Sequence, residues 1–263
     1  MLICPVCAEL LSVSGRTYGC PNGHTFDIAK EGYVNLLLGS KSGDRMGDDK
    51  LSARSRRDFL NQGYYTALKD ALCDIFRDRS GSLLDICCGE GYYTAALAEN
   101  PNLDVYGFDI SKEMIRLAAK RGRGAFFVAN LASIPVQDSS FDYAVHLFAP
   151  FKASEFSRVL KPGGALYTVV PGSHHLFGLK SALYDTPYLN DEALPDSPGF
   201  RLVGTKKVTA SIVLKNKDDI EAVFRMTPYY FHTSQTDREK LSTYESLQTQ
   251  IEFLIAHYVK SDG

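Results

Sequence analysis

The sequence predicts an α/β protein in which a largely parallel, doubly wound sheet follows a small metal-binding segment. Between residues 82 and 171, short apolar runs alternate with stretches of helical periodicity. Strands joined through helices form right-handed crossovers, and such strands lie parallel in one sheet. The second observation is a group of cysteine and histidine residues within the first 24 positions, spaced as in a metal site.

Each apolar run bounded by turn residues predicts a strand, and each amphipathic stretch predicts a helix. Strands are predicted at residues 82–88, 103–110, 124–131, 140–148 and 164–171, and helices at 89–101, 111–122 and 151–163. Later strands near 201–214 and 249–258 would complete the sheet, with a helix from Asp218. The predicted organisation is an N-terminal module (residues 1–38), a flexible linker rich in Gly, Ser and Asp (39–50), and the sheet domain (51–263).

Composition and charge limit the possible classes. The 263 residues are 44% hydrophobic and 23% charged, which excludes a coiled-coil, collagen-like or largely disordered chain. No apolar run approaches the ~20 residues that cross a bilayer, so we expect a soluble, cytoplasmic protein with no membrane partner. The net charge of −2 conceals an acidic excess in residues 61–200, with slightly basic segments at 1–60 and 201–240. Basic clusters such as Arg54, Arg56 and Arg57 are either solvated faces or local contacts to a nucleic acid.

The N-terminal module carries the spacing of a structural zinc site. Cys4 and Cys7 form a C-x2-C turn, and Cys20 and His24 form a second short turn twelve residues later. Two such turns supply the four ligands of the tetrahedron that Zn²⁺ prefers. The module is too small to fold on apolar burial alone, so the metal would supply its folding energy.

The other cysteines, Cys73, Cys87 and Cys88, are expected to be buried free thiols. The alternative is a catalytic thiol at Cys87 or Cys88, because the end of a strand is a functional position.

The first strand-to-helix turn of the sheet predicts a nucleoside-binding site. Asp85 precedes the glycines Gly89 and Gly91, which let a backbone approach a ligand closely. Asp109 ends the next strand, where a carboxylate can accept hydrogen bonds from both ribose hydroxyls. The turn lacks the G-x-G-x-x-G of a pyrophosphate site, which favours S-adenosylmethionine, a nucleoside without phosphate. Asn130 after the third strand and the KPGG at 161–164 agree with this site. The predicted fold is therefore a class I (Rossmann-like) S-adenosylmethionine-dependent methyltransferase sheet with a small N-terminal zinc-binding domain. The structural alternative is an α/β domain whose glycines have no role in binding.

Several motifs in collinear order resemble one known family. They are FDIAKEGYVNLLL at 26–38, ARSRRDFLNQGYYTAL at 53–68, LLDICCGEGYYT at 83–94, VVPGSHHLFGLK at 169–180 and MTPYYF at 226–231. Together with the cysteine and histidine turns, they resemble the RlmA-type 23S rRNA (guanine-N1)-methyltransferases over nearly the whole chain.

The resemblance implies a bacterial enzyme that methylates N1 of a guanine in a 23S rRNA hairpin and that often works as a homodimer. Cys4, Cys7, Cys20 and His24 match the zinc ligands of the family. Its cofactor-contacting positions match four residues, namely Tyr65, Gly89, Glu90 and His175. One departure is Cys87, where the family commonly has glycine. The N-terminal module would then recognise RNA beside a generic transferase.

Spacing does not identify a catalytic base. Guanine N1 carries a proton that must be lost, and the candidates are His146, His174 and the backbone carbonyls near Ala149 and Pro150. The aromatic residues 229–231 suit either core packing or RNA stacking. Two other functions stay open at this level: a small-molecule methyltransferase with an incidental zinc site, and a non-catalytic RNA- or ribosome-binding module that retains the cofactor.

Overall fold

A computed structural model describes residues 1–39 and 50–261. The predicted linker at 39–50 falls, except for its two end residues, outside the described part of the chain. Within the described residues, no helix is both long and apolar enough to traverse a bilayer.

The N-terminal module contains a small antiparallel sheet. Its strands are β1 (Ser12–Ser14), β2 (Thr17–Gly19) and β3 (Thr25–Asp27), in the order β1-β2-β3. The sheet is too short to enclose a core of its own, and Tyr18 and Phe26 pack instead against the core of the large sheet.

The remaining elements form one large α/β unit. In chain order they are β4 (Val34–Asn35), α1 (Lys50–Asn61), α2 (Thr66–Phe76), β5 (Gly81–Ile86), α3 (Tyr92–Leu97), β6 (Leu103–Asp109), α4 (Lys112–Ala119), β7 (Ala125–Val128), β8 (Phe141–Leu147), α5 (Ala153–Val159), β9 (Leu160–Pro171), α6 (Phe177–Leu183), β10 (Phe200–Leu214), α7 (Lys217–Arg225), α8 (Gln235–Leu241) and β11 (Leu247–Lys260). A short 3-10 turn at Pro228–Phe231 separates α7 from α8.

The large sheet has the order β10-β11-β9-β8-β5-β6-β7-β4. Strands β4 to β9 are mutually parallel, whereas β11 pairs antiparallel with both β9 and β10. β5 lies inside the sheet and is buried along almost its whole length, as expected for an apolar run covered by helices on both faces. The predicted parallel strands and the two late strands that complete the sheet are confirmed.

Two apolar layers cover the faces of this sheet. One contains Phe59, Leu68, Phe76 and Phe224 from the helices; the other contains Phe108, Phe141 and Phe156. The N-terminal module joins the second layer through Leu2 and Leu36.

Backbone pairing also attaches the N-terminal module to the large sheet. β4 extends the sheet beside β7, and Leu2 forms an isolated bridge with Val136. Hydrogen bonds and apolar burial thus fix the module against the edge of the sheet. The domain boundary after residue 38 stays a prediction, and β4 at residues 34–35 already belongs to the sheet.

Candidate cofactor cleft and metal centre

The four predicted metal ligands lie together in the N-terminal module. Their ligand atoms are all within 4.8 Å of one another. The Cys7 and Cys20 sulfurs are 3.6 Å apart, and His24 Nδ1 lies 3.6 Å from the Cys4 sulfur and 3.4 Å from the Cys20 sulfur. A tetrahedral zinc ion with Zn–S bonds of ~2.3 Å would place two sulfurs ~3.8 Å apart. These distances therefore fit a zinc ion held by three thiolates and one imidazole.

Local hydrogen bonding supports the metal site. The backbone N–H of Glu9 lowers the pKa of the Cys7 thiol to about 6, which favours the thiolate that a metal requires. The Arg16 guanidinium donates to the carbonyl of Ala29 at 3.1 Å and so joins the β1-β2 turn to the chain after β3. Four ligands leave no open coordination position, which is typical of a structural site.

The turn after β5 forms the floor of a cleft of about 480 Å³, including its open mouth. Gly89 has a φ of +56° and Gly91 a φ of +79°, in the left-handed region that favours glycine. A Cβ on Gly91 would lie 2.7 Å from the Cβ of Ala118 on α4, so this glycine also allows close packing. The predicted site residues Tyr65, Asp85, Gly89 and Glu90 all line this cleft.

Cys87 occupies a backbone conformation that glycine would adopt more easily. Its φ is +57°, in the left-handed region where a residue with a Cβ is strained and glycine is not. Burial raises the pKa of the Cys87 thiol to about 12, and it also raises the pKa of the Cys88 thiol well above its ordinary value. Both thiols are therefore protonated at neutral pH, which argues against either as a catalytic nucleophile.

Asp109 lies beside the glycine turn, as the sequence indicated. Its Oδ2 accepts a hydrogen bond from the Gly89 N–H at 3.1 Å, and its Oδ1 accepts from the Ser111 N–H at 2.8 Å. These bonds fix the carboxylate at the carboxyl end of β6, next to the cleft, where it can meet a ribose.

Tyr65 and His175, 110 positions apart in the chain, form a hydrogen-bonded pair. The backbone N–H of Glu252 donates to His175 Nδ1 at 3.2 Å, so the ring proton is on Nε2. His175 Nε2 lies 3.3 Å from the Tyr65 hydroxyl oxygen and donates to it. Burial, reinforced by the nearby Lys180 charge, lowers the pKa of His175 to about 3 and keeps the ring neutral. The Tyr65 hydroxyl proton is thereby directed away from His175 and is available to a ligand.

A buried lysine supports the His175 loop. Lys180 is only 1% exposed, and its Nζ donates to Asn190 Oδ1 at 2.6 Å. Asn190 Nδ2 in turn donates to the carbonyls of Gly172 and His175, each at 3.0 Å. Lys180 also lies 3.9 Å from the centre of the Tyr188 ring. This network fixes the position of His175 and hence of the Tyr65 hydroxyl.

Two polar atoms that line the cleft are suited to a polar ligand. Glu90 is 1% exposed and binds the Arg121 guanidinium through Oε2, while its buried Oε1 has no hydrogen-bond partner among the residues that the structure describes. Within the same part of the chain, the buried Tyr93 hydroxyl has no partner either. Buried polar groups are normally satisfied, so these atoms indicate a missing partner with donor and acceptor groups. The amino-acid portion of S-adenosylmethionine provides both.

Asp85 lies beneath the turn and is 2% exposed. Its Oδ2 accepts a hydrogen bond from the Thr94 hydroxyl at 2.6 Å. Burial raises the pKa of this carboxyl from its ordinary value of 3.8 to about 7, with a further contribution from the Asp109 charge.

This raised pKa predicts a pH-dependent stability in the cofactor-free protein. The folded protein binds the Asp85 proton more tightly than the unfolded chain does, so the resulting stability is complete below about pH 4 and is lost as the pH rises through about 7. An Asp85→Asn variant keeps an acceptor for Thr94 but has no charge. Between about pH 5 and about pH 8, we expect its free energy of unfolding to fall by a few kcal/mol less than that of the wild type. Thermal midpoints of the two proteins across this pH range measure the difference. Equal slopes in the two proteins would contradict the assignment.

The other candidate residues, Asn130, His146 and His174, are not among those that line the cleft. Asn130 lies two residues after the end of β7, and its Oδ1 accepts from the Ala132 N–H at 2.9 Å. Its role in cofactor binding stays a prediction. His146 is buried behind the cleft against Phe151 and Phe156, and His174 lies in a separate trough beside Thr249.

Other residues that were not predicted to belong to the cleft also line it, among them Arg56, Phe148 and Met226. Arg56 and Met226 stand within family motifs, which was the available signal for these two. Among the aromatic residues of the 3-10 turn, Tyr229 and Tyr230 pack against Phe224, whereas Phe231 is 77% exposed.

Two family models match the chain. A zinc-ribbon family described as "RlmA, N-terminal" matches residues 2–39, and "Methyltransferase domain" matches residues 83–164. The first match contains all four metal ligands, and the second contains the glycine turn and Asp109.

Individual proteins are similar over longer stretches. A 23S rRNA (guanine(748)-N(1))-methyltransferase from Streptomyces fradiae is 32% identical over 246 residues, 88% of this chain and 86% of that protein. A Bacillus subtilis protein provisionally named a 23S rRNA (guanine-N(1)-)-methyltransferase is 35% identical over 202 residues, 71% of this chain and 70% of that protein. A demethylmenaquinone methyltransferase from Chlorobaculum tepidum is 34% identical over 113 residues, only 40% of this chain and 47% of that protein.

Among solved structures, one chain of the complex between the Haloferax volcanii Trm112 methyltransferase activator and a methyltransferase has a TM-score of 0.50 and 18% identity. The match covers 82% of this chain and 100% of that chain, and it supports the fold alone.

The predicted methyltransferase sheet, the N-terminal zinc-binding domain, and the cofactors S-adenosylmethionine and structural zinc are confirmed. Because both domain families match and the Streptomyces fradiae relative is similar over most of the chain, this protein belongs to the RlmA-type 23S rRNA (guanine-N1)-methyltransferase family.

Proposed function

We propose that this protein transfers a methyl group from S-adenosylmethionine to N1 of a guanine in a 23S rRNA hairpin. The main support is a cleft lined by the glycine turn and Tyr65. Asp109 is hydrogen-bonded to that turn and His175 to Tyr65, in a chain that also carries the zinc ribbon of the family. A small-molecule methyltransferase would need only the sheet, and the similarity to the demethylmenaquinone enzyme is confined to that part.

The cleft residues have separate roles in this proposal. Bound S-adenosylmethionine supplies a methyl group on a positively charged sulfur, which is a good leaving group. Asp109 accepts hydrogen bonds from the ribose hydroxyls, and Gly89 lets the backbone approach the cofactor. The Tyr65 hydroxyl, oriented by His175, donates a hydrogen bond into the cleft. With the methyl donor fixed in this way, the remaining task is to align guanine N1 with the methyl carbon.

The proton on guanine N1 must be accepted by a group other than the two candidate histidines. Burial lowers the pKa of His146 to about 4, and its Nε2 donates to the Pro150 carbonyl at 3.2 Å. His174 faces Ser173 and Glu252 outside the cleft. Neither histidine is among the residues that line the cleft, which argues against both.

Contacts to RNA are proposed along α1. Arg56 lines the cleft. Burial raises the pKa of Glu90, and the charge of Arg57, like that of Arg121, partly offsets this rise, which places Arg57 near the cleft as well. Arg54 is exposed on the same helix. Phosphates of an rRNA hairpin would be attracted to these arginines even though the whole chain is slightly acidic. RNA recognition by the zinc ribbon, a cytoplasmic location and a homodimer stay predictions.

The direct test supplies the protein with labelled S-adenosylmethionine and 23S rRNA that lacks the modification. We expect label in the rRNA and one new stop in primer extension, because a methyl on N1 blocks base pairing. A parallel reaction with S-adenosylhomocysteine in place of the methyl donor is the control and should give no stop. Label that enters a small molecule while the rRNA gives no stop would overturn the proposal.

A further inference from the structure

Phe148, the residue directly after β8, combines exposure with backbone strain. Its side chain is 45% exposed, and its φ is +56°. A bulky aromatic residue is an outlier in the left-handed region, and such strain persists mainly where the surrounding structure imposes it at a functional site. Phe148 also lines the cofactor cleft, so its conformation bears on the reaction.

Contacts at both ends of the short segment 148–150 impose this conformation. The Phe148 N–H donates to the Val169 carbonyl on β9 at 3.4 Å, and the Pro150 carbonyl accepts from His146 Nε2 at 3.2 Å. The Phe148 ring lies 5.5 Å from the ring of Phe253, which is completely buried. The ring therefore has rigid support on one side while nearly half of its surface stays accessible.

The sheet order indicates which planar group this ring can meet. β6 and β8 flank β5 on opposite sides. Asp109, the proposed acceptor for the ribose, ends β6, whereas Phe148 follows β8. A nucleoside held by Asp109 would therefore lie on the β6 side. Phe148 lies on the other side of the glycine turn, where a methyl acceptor can approach.

A phenyl ring offers no hydrogen-bonding group, but it can stack on a base. Guanine N1 is on the pairing edge, so the base must leave its helix before methylation, and an aromatic face can compensate for the lost stacking. We propose that Phe148 stacks on the flipped-out guanine and orients N1 toward the methyl carbon. This inference rests on the proposed function.

The test compares Phe148→Leu, which keeps an apolar side chain without an aromatic face, with Phe148→Tyr, which keeps the ring. Single-turnover methylation of undermodified 23S rRNA is measured at saturating RNA and S-adenosylmethionine, and cofactor affinity is measured by calorimetry. We expect the leucine variant to be about 10-fold to 100-fold slower, because the guanine loses the aromatic face on which it stacks. The tyrosine variant should recover most of the rate, and the cofactor Kd should be unchanged in both.

Three outcomes would overturn the inference. A leucine variant that reacts at the wild-type rate excludes stacking, and one whose cofactor affinity falls as much as its rate indicates a packing role. Wild-type protein that leaves the rRNA unmethylated would contradict the proposed function itself. This result differs from the first two, which appear only in the leucine variant. Should thermal melting show that the leucine variant is unfolded, Phe148→Met provides the same comparison with a flexible, non-aromatic side chain.

Discussion

A Cys7→Ser variant is expected to lose bound zinc and, with it, methylation of 23S rRNA. Cys7 supplies one of the four clustered ligands, and a serine hydroxyl is a poor substitute for a thiolate. Zinc contributes on the order of 10 kcal/mol to the folding of so small a module, so β1 to β3 should unfold without it. Metal analysis measures the zinc content, and primer extension on undermodified 23S rRNA measures methylation.

Cys73→Ser is the matched control, because Cys73 is a half-buried free thiol on α2 outside the metal cluster. It should keep both zinc and methylation. The Cys7 variant should also retain affinity for S-adenosylmethionine, because the residues that line the cleft lie between 56 and 226. Full zinc content in the Cys7 variant would contradict the ligand assignment. Loss of cofactor binding would instead show that pairing of β4 with β7 supports the cleft.

An Asp109→Ala variant is expected to bind S-adenosylmethionine at least ~100-fold more weakly. In the proposed site, the variant would lose two charge-assisted hydrogen bonds to the ribose, each contributing ~1.5–3 kcal/mol. It also loses the acceptor for the Gly89 N–H, which loosens the turn on which the cofactor would lie. Calorimetric titration of the purified protein with S-adenosylmethionine measures the change.

Asp104 provides the control for this experiment. It lies on β6 with Asp109 but is exposed, so Asp104→Ala removes a carboxylate from the same strand and should leave the cofactor Kd unchanged. Zinc content should be unchanged in both variants, because the ribbon ligands lie at residues 4–24. Wild-type cofactor affinity in the Asp109 variant would refute the ribose assignment, and zinc loss there would refute the separation of the two sites.

Local patterns predicted much of the fold. The strands β5 to β9 were predicted because buried parallel strands are apolar runs bounded by turn residues. The short helix α3 was predicted to be longer than it is, and the residues of the KPGG motif belong to β9 and not to the preceding helix. Element ends depend on which backbone groups find partners in the folded sheet, and periodicity contains no information on that choice. The same reason explains why β4, only two residues long, was not anticipated.

The candidate site, like the fold, could be predicted only in part from the sequence. The Tyr65 and His175 positions came from the resemblance to the family, but their hydrogen bond, the ring tautomer of His175 and its neutral state depend on Glu252 and on Lys180. These partners come from distant elements, and no spacing rule connects them. The strained φ of Phe148 likewise results from contacts on both sides of the segment 148–150 and has no signature in the residue type.

The sequence by itself determined the zinc ligands, the parallel sheet, the glycine turn and the acidic residue that ends β6. Each of these depends on residue types at fixed short spacings, because metal geometry, strand periodicity and turn conformation are local constraints. Only the tertiary structure decided that the zinc ribbon pairs with the edge of the sheet, that Tyr65 can donate into the cleft, and that Phe148 is held exposed beside it. Those features arise from contacts between segments far apart in the chain, where burial and hydrogen-bond partners are fixed only once the whole sheet has formed.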